Sequence, residues 1–294
     1  MLPKELYQKI QKFHFKTRFM ANDLFAGQYE SAFKGRGMEF AEVREYLPGD
    51  DVRSIDWNVS ARFGHPYVKV FHEERELTVT LLIDLSGSNL FGTRKRFKRE
   101  VIAEIAGILS FAAIRTNDKV GAILFSSEVN RYIPPAKGIA HVWRMIKEIF
   151  TYTPPSLGTD IGAALEFLNK VVKRHSICFA ISDFQMPMDD HFEKPLRMAS
   201  KKHDLTAIRV MDPAEKELPR VGRIRIQDPE TAEIIAINTH DRRVRRKWEE
   251  IQHQNEVQFM QTLVKSKVDL IDLLTNTSVV EPLTAYFRRR ENRR

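Results

Sequence analysis

Oxygen-bearing side chains follow an apolar segment near residue 80. The run TVTLLIDLSGS, residues 78–88, has the composition of a buried strand as far as Asp84, and Ser86 and Ser88 then follow at two-residue steps. Gly87 gives the intervening loop the backbone freedom to curl. One carboxylate and two hydroxyls can therefore converge on one point, and such hard oxygen donors suit Mg²⁺ or a similar small cation.

Two further segments place oxygen donors in a comparable position. Thr159 precedes a predicted helix in the segment GTDIGAAL, and Asp183 directly follows the apolar run SICFAIS. In open α/β sheets, ligands bind beyond the carboxyl ends of the strands, which is where these segments are expected to meet. The alternative is that the same side chains only cap helices and turns. We assign that capping role to Asp160.

These three segments together predict a site for a divalent cation. The five predicted ligands are Asp84, Ser86, Ser88, Thr159 and Asp183. We expect Mg²⁺, with Mn²⁺ or Ca²⁺ as alternatives, because two carboxylates and three hydroxyls form an all-oxygen set. If only some of the carboxylates bind directly, the ion keeps net positive charge and an exchangeable position, which an acidic group of a partner can fill.

The elements that position these segments alternate between strands and helices. Strands are predicted over 78–84, 119–125, 176–182, 204–211 and 268–274, with another ending near 134–135, and helices over about 95–116, 139–150, 160–173, 190–202, 241–265 and 279–291. A β-hairpin is predicted around residues 228–230. This alternation predicts an α/β fold with a mostly parallel, Rossmann-like central sheet flanked by helices.

A different pattern occupies residues 1–76, which we expect to pack on a main domain of residues 77–294. An amphipathic helix is predicted over 4–25 and short extended pieces over 38–75, with Tyr46 and Trp57 as packing anchors. Charged residues of the extended part are expected to pair among themselves: Arg44, Asp50, Asp51, Arg53, Asp56 and Arg62. A structural role is favoured for this segment, and a docking surface is the alternative.

Composition limits the environment and the partners. The 294 residues include a single cysteine, Cys178, in an apolar run, which excludes a disulfide framework and predicts a buried thiol. No apolar run approaches the ~18 residues that span a bilayer, so we expect no membrane span and a cytoplasmic location. The net charge of +8 includes two arginine-rich clusters, residues 242–247 and 288–294. They are either solvated surface or a site for an anionic partner, nucleic acid included.

The cation motif carries a family resemblance. The Asp-x-Ser-x-Ser run, the threonine of GTDIGAAL and the aspartate after SICFAIS resemble the metal-ion-dependent adhesion site of von Willebrand factor A domains. The segment NDKVGAILFSSEV is similar to the second strand and hairpin of that family. The resemblance implies the same five ligands, acting directly or through water.

The preceding segment narrows the resemblance. The stretch from EFAEVREYLPGDD to the adhesion-site motif, and most of the chain after Gly35, resembles the bacterial family called domain of unknown function 58. That family resembles von Willebrand A domains and commonly occurs with MoxR-type AAA+ ATPases. The resemblance implies a metal-dependent adaptor or assembly factor that works with such an ATPase and binds an acidic residue of a protein ligand.

Enzyme motifs are missing from the sequence. No Gly-x-Ser-x-Gly elbow, phosphate-binding loop or His-Glu-x-x-His motif is present. A metal-dependent hydrolase acting through Asp84 and Asp183 is the alternative, but the predicted loops contain no lysine, histidine or second acidic pair as a general acid. We therefore expect a binding protein rather than an enzyme.

Overall fold

The elements around the predicted site are seen in a computed structural model. It describes residues 16–21, 29, 32–33, 38–73, 76–93, 96–227 and 234–292. The strands of this part of the chain are β1 (Met38–Glu45), β2 (Tyr67–Glu73), β3 (Thr78–Asp84), β4 (Lys119–Phe125), β5 (Val129–Ala136), β6 (Ile177–Ser182), β7 (Asp204–Met211), β8 (Arg223–Gln227), β9 (Ile234–Asn238) and β10 (Asp269–Leu274). The α-helices are α1 (Trp57–Phe63), α2 (Lys98–Arg115), α3 (Ile139–Thr151), α4 (Ile161–Val171), α5 (Asp190–Lys202), α6 (Pro213–Lys216), α7 (Arg242–Ser266) and α8 (Val280–Glu291).

Six strands form the central sheet in the order β10-β7-β6-β3-β4-β5. All neighbours are parallel except β5, which is antiparallel to β4. The chain leaves β3 toward β4 on one side, and β6 later pairs with β3 on the other side. The boundary between β3 and β6 is therefore the topological switch point, where doubly wound sheets bind ligands beyond the carboxyl ends of the strands.

Helices cover both faces of this sheet, which explains why its central strands are continuous apolar runs. One face packs against α2 and α8 in a cluster that includes Ile105 and Phe287. The other face packs against α4, α5 and α7 in a cluster that includes Leu165 and Phe259. The predicted α/β fold is confirmed, and the helices and strands after residue 77 begin and end close to their predicted positions. The hairpin strands β8 and β9 are antiparallel, and their predicted turn lies outside the described residues.

The segment over 38–73 is less extended than predicted. Strands β1 and β2 form a separate antiparallel pair, but the connection between them contains a 3₁₀ turn and the helix α1. Asp56 is the N-cap of α1 and accepts hydrogen bonds from the backbone N–H groups of Asn58 and Val59. Gly64 ends the helix in the left-handed conformation, which glycine adopts without strain. Of the predicted helix over 4–25, only residues 16–21 are described, and they are helical.

The side-chain roles expected in this segment are partly wrong. Arg44 pairs with Asp50 at 2.7 Å as expected, but Asp56 pairs with Lys69 instead of an arginine. Trp57 is 69% exposed and is no packing anchor, because it begins a short helix that turns this side chain to solvent.

The C-terminal arginine cluster also requires a correction. Arg290 is buried at 6% exposure and is held by Asp204 at the start of β7, so it belongs to the core and not to a solvated tail. Cys178 is buried as predicted, and burial raises the pKa of its thiol to about 12. Within the described part of the chain, the helices are too short or too polar to cross a bilayer.

Candidate cation site at the switch point

The loop after β3 gathers the first three predicted ligands. Asp84 is fully buried at the end of the strand, and its Oδ1 accepts a hydrogen bond from the backbone N–H of Ser86 at 2.8 Å. A 3₁₀ turn over Gly87–Leu90 then brings the hydroxyls of Ser86 and Ser88 within 3.0 Å of each other. The Asn89 amide donates to the Ser86 hydroxyl and to the Asp84 carbonyl, and so fixes the loop. Ser88 is only half-buried, so the cluster opens toward solvent on its side.

The end of β6 supplies the next contact. The Ser182 hydroxyl donates to Asp84 Oδ2 at 2.6 Å and accepts from the backbone N–H of Phe184 at 3.1 Å. Asp183 is buried beside it, and its Oδ1 accepts from the backbone N–H of Gln185 at 3.2 Å. Phe184 adopts a left-handed backbone with φ of 54°, which is rare for a bulky residue. The chain thus turns sharply directly after Asp183.

The predicted segment that contains Thr159 lies against the loop after β3. The Gly87 N–H donates to the carbonyl of Leu157 at 2.8 Å, which fastens the loop before α4 to the serine loop. Thr159, two residues farther on, is half-buried. Asp160 caps α4 as predicted, because its side chain accepts from the Ala163 N–H. The hydrogen bond from His191 to Asp160 raises the pKa of that histidine.

Two charged residues that sequence reasoning missed complete the cluster. Lys98 is fully buried at the first position of α2, and its Nζ lies 2.6 Å from Asp183 Oδ2 and 2.6 Å from Glu215 Oε1. Glu215 is fixed in turn by the N–H of Asp212, which donates to Oε2 at 2.7 Å in a capping box at the start of α6.

The sequence does contain a signal for the lysine. Lys98 falls on the same helical stripe as Val101, Ile102 and Ile105, which are all buried. A lysine on a buried stripe requires an acidic partner, since an unpaired buried ammonium is costly. Its partners, however, lie 85 and 117 residues away in the sequence, and that separation hides the pairing.

Burial and charged neighbours shift the pKa values of Asp84, Lys98 and Glu215. Burial, followed by the negative charge of Asp183, raises the pKa of Asp84 to about 6, against the hydrogen bonds from Ser182 and Ser86. Burial lowers the pKa of Lys98, but Asp183 and Glu215 outweigh it, so the pKa is raised and the lysine is charged. Burial raises the pKa of Glu215, against the attraction of Lys98.

The donor set fits a cation. When ionised, the carboxylates of Asp84, Asp183 and the half-buried Glu215 outnumber the single ammonium of Lys98, so the cluster has an excess of negative charge. Asp84 receives hydrogen bonds from Ser86 and Ser182 but has no cationic partner among the described residues. The uncompensated Asp84 and the paired serine hydroxyls are hard oxygen ligands of the kind that Mg²⁺ prefers.

A cavity of about 510 Å³ adjoins the cluster on the Asp183 side. Its wall is formed by the loop after β6, by β7 and by α7, and it includes Met186, Met188, Arg209 and Phe259. Flexible methionines and an aromatic ring beside a polar cluster are typical of surfaces that accept another protein's side chains.

The sequence of this chain is similar to that of a protein family and of individual bacterial proteins. The family model described as "Protein of unknown function DUF58" matches residues 42–258. An uncharacterized protein of Mycobacterium bovis is 34% identical over 207 residues, which are 70% of this chain and 65% of that protein. The chain therefore spans about two thirds of the length of this relative.

Two solved structures are similar to this chain. The conserved hypothetical protein BatB from Bacteroides thetaiotaomicron superposes with a TM-score of 0.50 at 16% identity, over 74% of this chain and 99% of that chain. The SpRpn10 VWA domain matches with a TM-score of 0.38 at 10% identity, over 72% of this chain and 95% of that chain. The similarity to BatB supports the predicted α/β fold with a mostly parallel central sheet.

Proposed function

The chain belongs to the DUF58 family of proteins of unknown function. From this premise we propose that it is a protein-interaction module, and that it binds its partner through a divalent cation held at the switch point. The observation that carries the proposal is the meeting of Asp84, Ser86, Ser88 and Asp183 at one edge of the sheet, with Asp84 buried and lacking a cationic partner among the described residues.

The adhesion-site arrangement assigns a role to each predicted ligand. The hydroxyls of Ser86, Ser88 and Thr159 would contact the ion, and Asp84 and Asp183 would balance its charge, directly or through water. Bound there, the ion supplies a positive charge that attracts a carboxylate, in a partly dry site where that attraction is stronger than in bulk water. The partner therefore contributes an aspartate or glutamate, with neighbouring apolar residues that enter the cavity beside Met186 and Met188.

The expected assembly is with a MoxR-type AAA+ ATPase. This part of the proposal rests on the family resemblance, and it gives the module the role of an adaptor or assembly factor. The cation would link the module to an acidic protein ligand or to the ATPase itself.

The test compares Asp84→Asn with Asp118→Asn. Asp118 is an equally buried carboxylate at the amino end of β4, on the opposite edge of the sheet, so this variant controls for the loss of a buried charge. We expect the wild type and Asp118→Asn to bind Mn²⁺ in calorimetry and to retain the organism's MoxR-type ATPase in a pull-down that EDTA abolishes. Asp84→Asn should fail in both assays. If EDTA and Asp84→Asn leave retention unchanged, the cation is not the binding element.

A metal-dependent hydrolase is the second candidate, because Lys98 introduces a charged amine into the cluster. Its Nζ, however, is fully buried and hydrogen-bonded to two carboxylates, so it is badly placed to protonate a leaving group. A phosphoester screen with Mg²⁺ or Mn²⁺ tests this candidate: turnover that Asp84→Asn abolishes would establish it.

A further inference from the structure

Lys98, Asp183 and Glu215 form a closed charge assembly in which Lys98 and Asp183 are buried and Glu215 is half-buried. Lys98 Nζ contacts one oxygen of each carboxylate at 2.6 Å. The other oxygen of each accepts a backbone N–H, from Gln185 at Asp183 and from Asp212 at Glu215. The ammonium is thus committed to these two partners, and both oxygens of Asp183 are already engaged.

This assembly decides how much negative charge the cation would experience. Asp183 directly follows Ser182, whose hydroxyl donates to Asp84 Oδ2 at 2.6 Å, but the ammonium of Lys98 compensates the charge of Asp183 from within the protein. Among the described carboxylates of the cluster, Asp84 alone is not paired with an ammonium, so its negative charge remains available to the cation. A divalent ion next to one free carboxylate keeps about one unit of positive charge, which needs a further anion.

Resting on the function proposed above, we propose that Lys98 is a positioning residue that makes cation binding depend on the partner's carboxylate. Because Lys98 holds Asp183 and neutralises its charge, the site alone binds the ion weakly. The bound ion therefore needs a second carboxylate, which the acidic ligand supplies. Cation and partner then bind cooperatively. Because such coupling is reciprocal, the partner raises the affinity for the ion by the same factor as the ion raises the affinity for the partner.

The sharpest perturbation removes the lysine and one carboxylate together. Lys98→Gln with Glu215→Gln keeps the formal charge of the protein, retains hydrogen-bonding groups at both positions and leaves Asp183 without its ammonium. Lys98→Met with Glu215→Gln is a second variant with a different steric demand, in case the first folds poorly. The matched control is Lys119→Gln with Glu76→Gln, an exposed pair at 3.2 Å at the amino end of β4.

Mn²⁺ binding is measured by calorimetry, with graded acetate as the carboxylate probe and chloride at equal ionic strength as its reference. We expect acetate to increase the Mn²⁺ affinity of the wild type and of the control pair. Without acetate, the Lys98/Glu215 variants should bind Mn²⁺ about tenfold more tightly than the wild type, or ~1.4 kcal/mol, and acetate should have little further effect on them.

The outcomes separate the two proposals. Equal Mn²⁺ affinity and equal acetate dependence in the wild type and both Lys98/Glu215 variants would overturn the role of Lys98 and leave the cation site intact. Absence of Mn²⁺ binding in every protein would overturn the cation site itself. Wild-type Mn²⁺ binding that acetate strengthens, together with tighter and acetate-independent binding by the Lys98/Glu215 variants, would support the inference.

Discussion

Replacing Asp84 by asparagine should stabilise the metal-free protein while it removes cation binding. Asp84 is fully buried, and its pKa is raised from 3.8 to about 6 because burial and the charge of Asp183 disfavour the carboxylate. A group with a raised native pKa contributes stability that is complete below its unfolded pKa and is lost as the pH rises through its native pKa. Near pH 7.5, Asp84 is therefore a charged group held where the fold disfavours its charge.

The magnitude follows from the shift. Two pH units correspond to about 3 kcal/mol at ~1.36 kcal/mol per unit. Asparagine has the same shape and no charge, its oxygen can accept from the Ser86 N–H, and the Ser182 hydroxyl can rotate to accept from its amide. In EDTA at pH 7.5, we expect Asp84→Asn to exceed the wild type in free energy of unfolding by up to about 3 kcal/mol. The advantage should shrink as the pH falls from 6 to 4, because the wild-type carboxylate then becomes protonated.

A saturating cation should reverse the order. An ion that binds only the native state stabilises it by RT ln(1 + [L]/Kd), about 2.7 kcal/mol at a hundredfold excess over Kd, and this gain should be confined to the wild type. The assay is urea denaturation at pH 4, 5, 6 and 7.5, with EDTA or with MnCl₂. The reasoning is refuted if Asp84→Asn is less stable than the wild type in EDTA at pH 7.5, or if Mn²⁺ stabilises both proteins equally.

Three further predictions concern the rest of the molecule. Arg290→Met should lower the free energy of unfolding in urea by about 3–5 kcal/mol, because it removes the buried guanidinium that forms an ion pair with Asp204. The exposed Arg288→Met should change the free energy of unfolding by less than about 0.5 kcal/mol, and equal effects would contradict the assignment of Arg290 to the core. Cys178 should not react with a thiol reagent at pH 8 until the protein unfolds, since its pKa is raised to about 12 and it is buried; rapid labelling under native conditions would show that β6 is accessible. Trp57→Ala should change stability by less than about 0.5 kcal/mol because the indole is 69% exposed, and a large loss would mean that α1 packs against another element.

The part of the fold that the sequence predicts best is the part where one physical signal dominates. Strands such as 78–84 and 177–182 are buried on both faces, so their composition alone identifies them. The helix over 98–115 is apolar on a wide stripe and is equally recognisable. Residues 38–73 lack such a signal, because their stability comes from caps and local pairs, such as Asp56 at the start of α1, and short helices of this kind have weak intrinsic preferences.

Charged side chains were harder to place than elements. Arg290 belongs to an arginine run that is typical of a solvated terminus, but one turn of α8 directs it inward to Asp204 and to the Tyr286 hydroxyl. Trp57 is an aromatic residue of the kind usually found in cores, but the cap at Asp56 fixes the helix that exposes it. In both cases the decisive contact is set by the direction of a helix, which residue type does not encode.

The two aspartates at the switch point show the limit of a local motif. Asp84 and Asp183 both lie at the carboxyl ends of apolar, parallel, neighbouring strands, so sequence context assigns them the same role. Their surroundings differ because remote elements deliver different partners: neutral donors from Ser86 and Ser182 to one, and the ammonium of Lys98 to the other. Since each ligand's contribution to a bound ion depends on its uncompensated charge, the two carboxylates cannot be equivalent. The motif identifies the oxygen donors. Lys98 at the start of α2, 14 residues beyond the end of β3, determines which of the two carboxylates keeps an uncompensated charge.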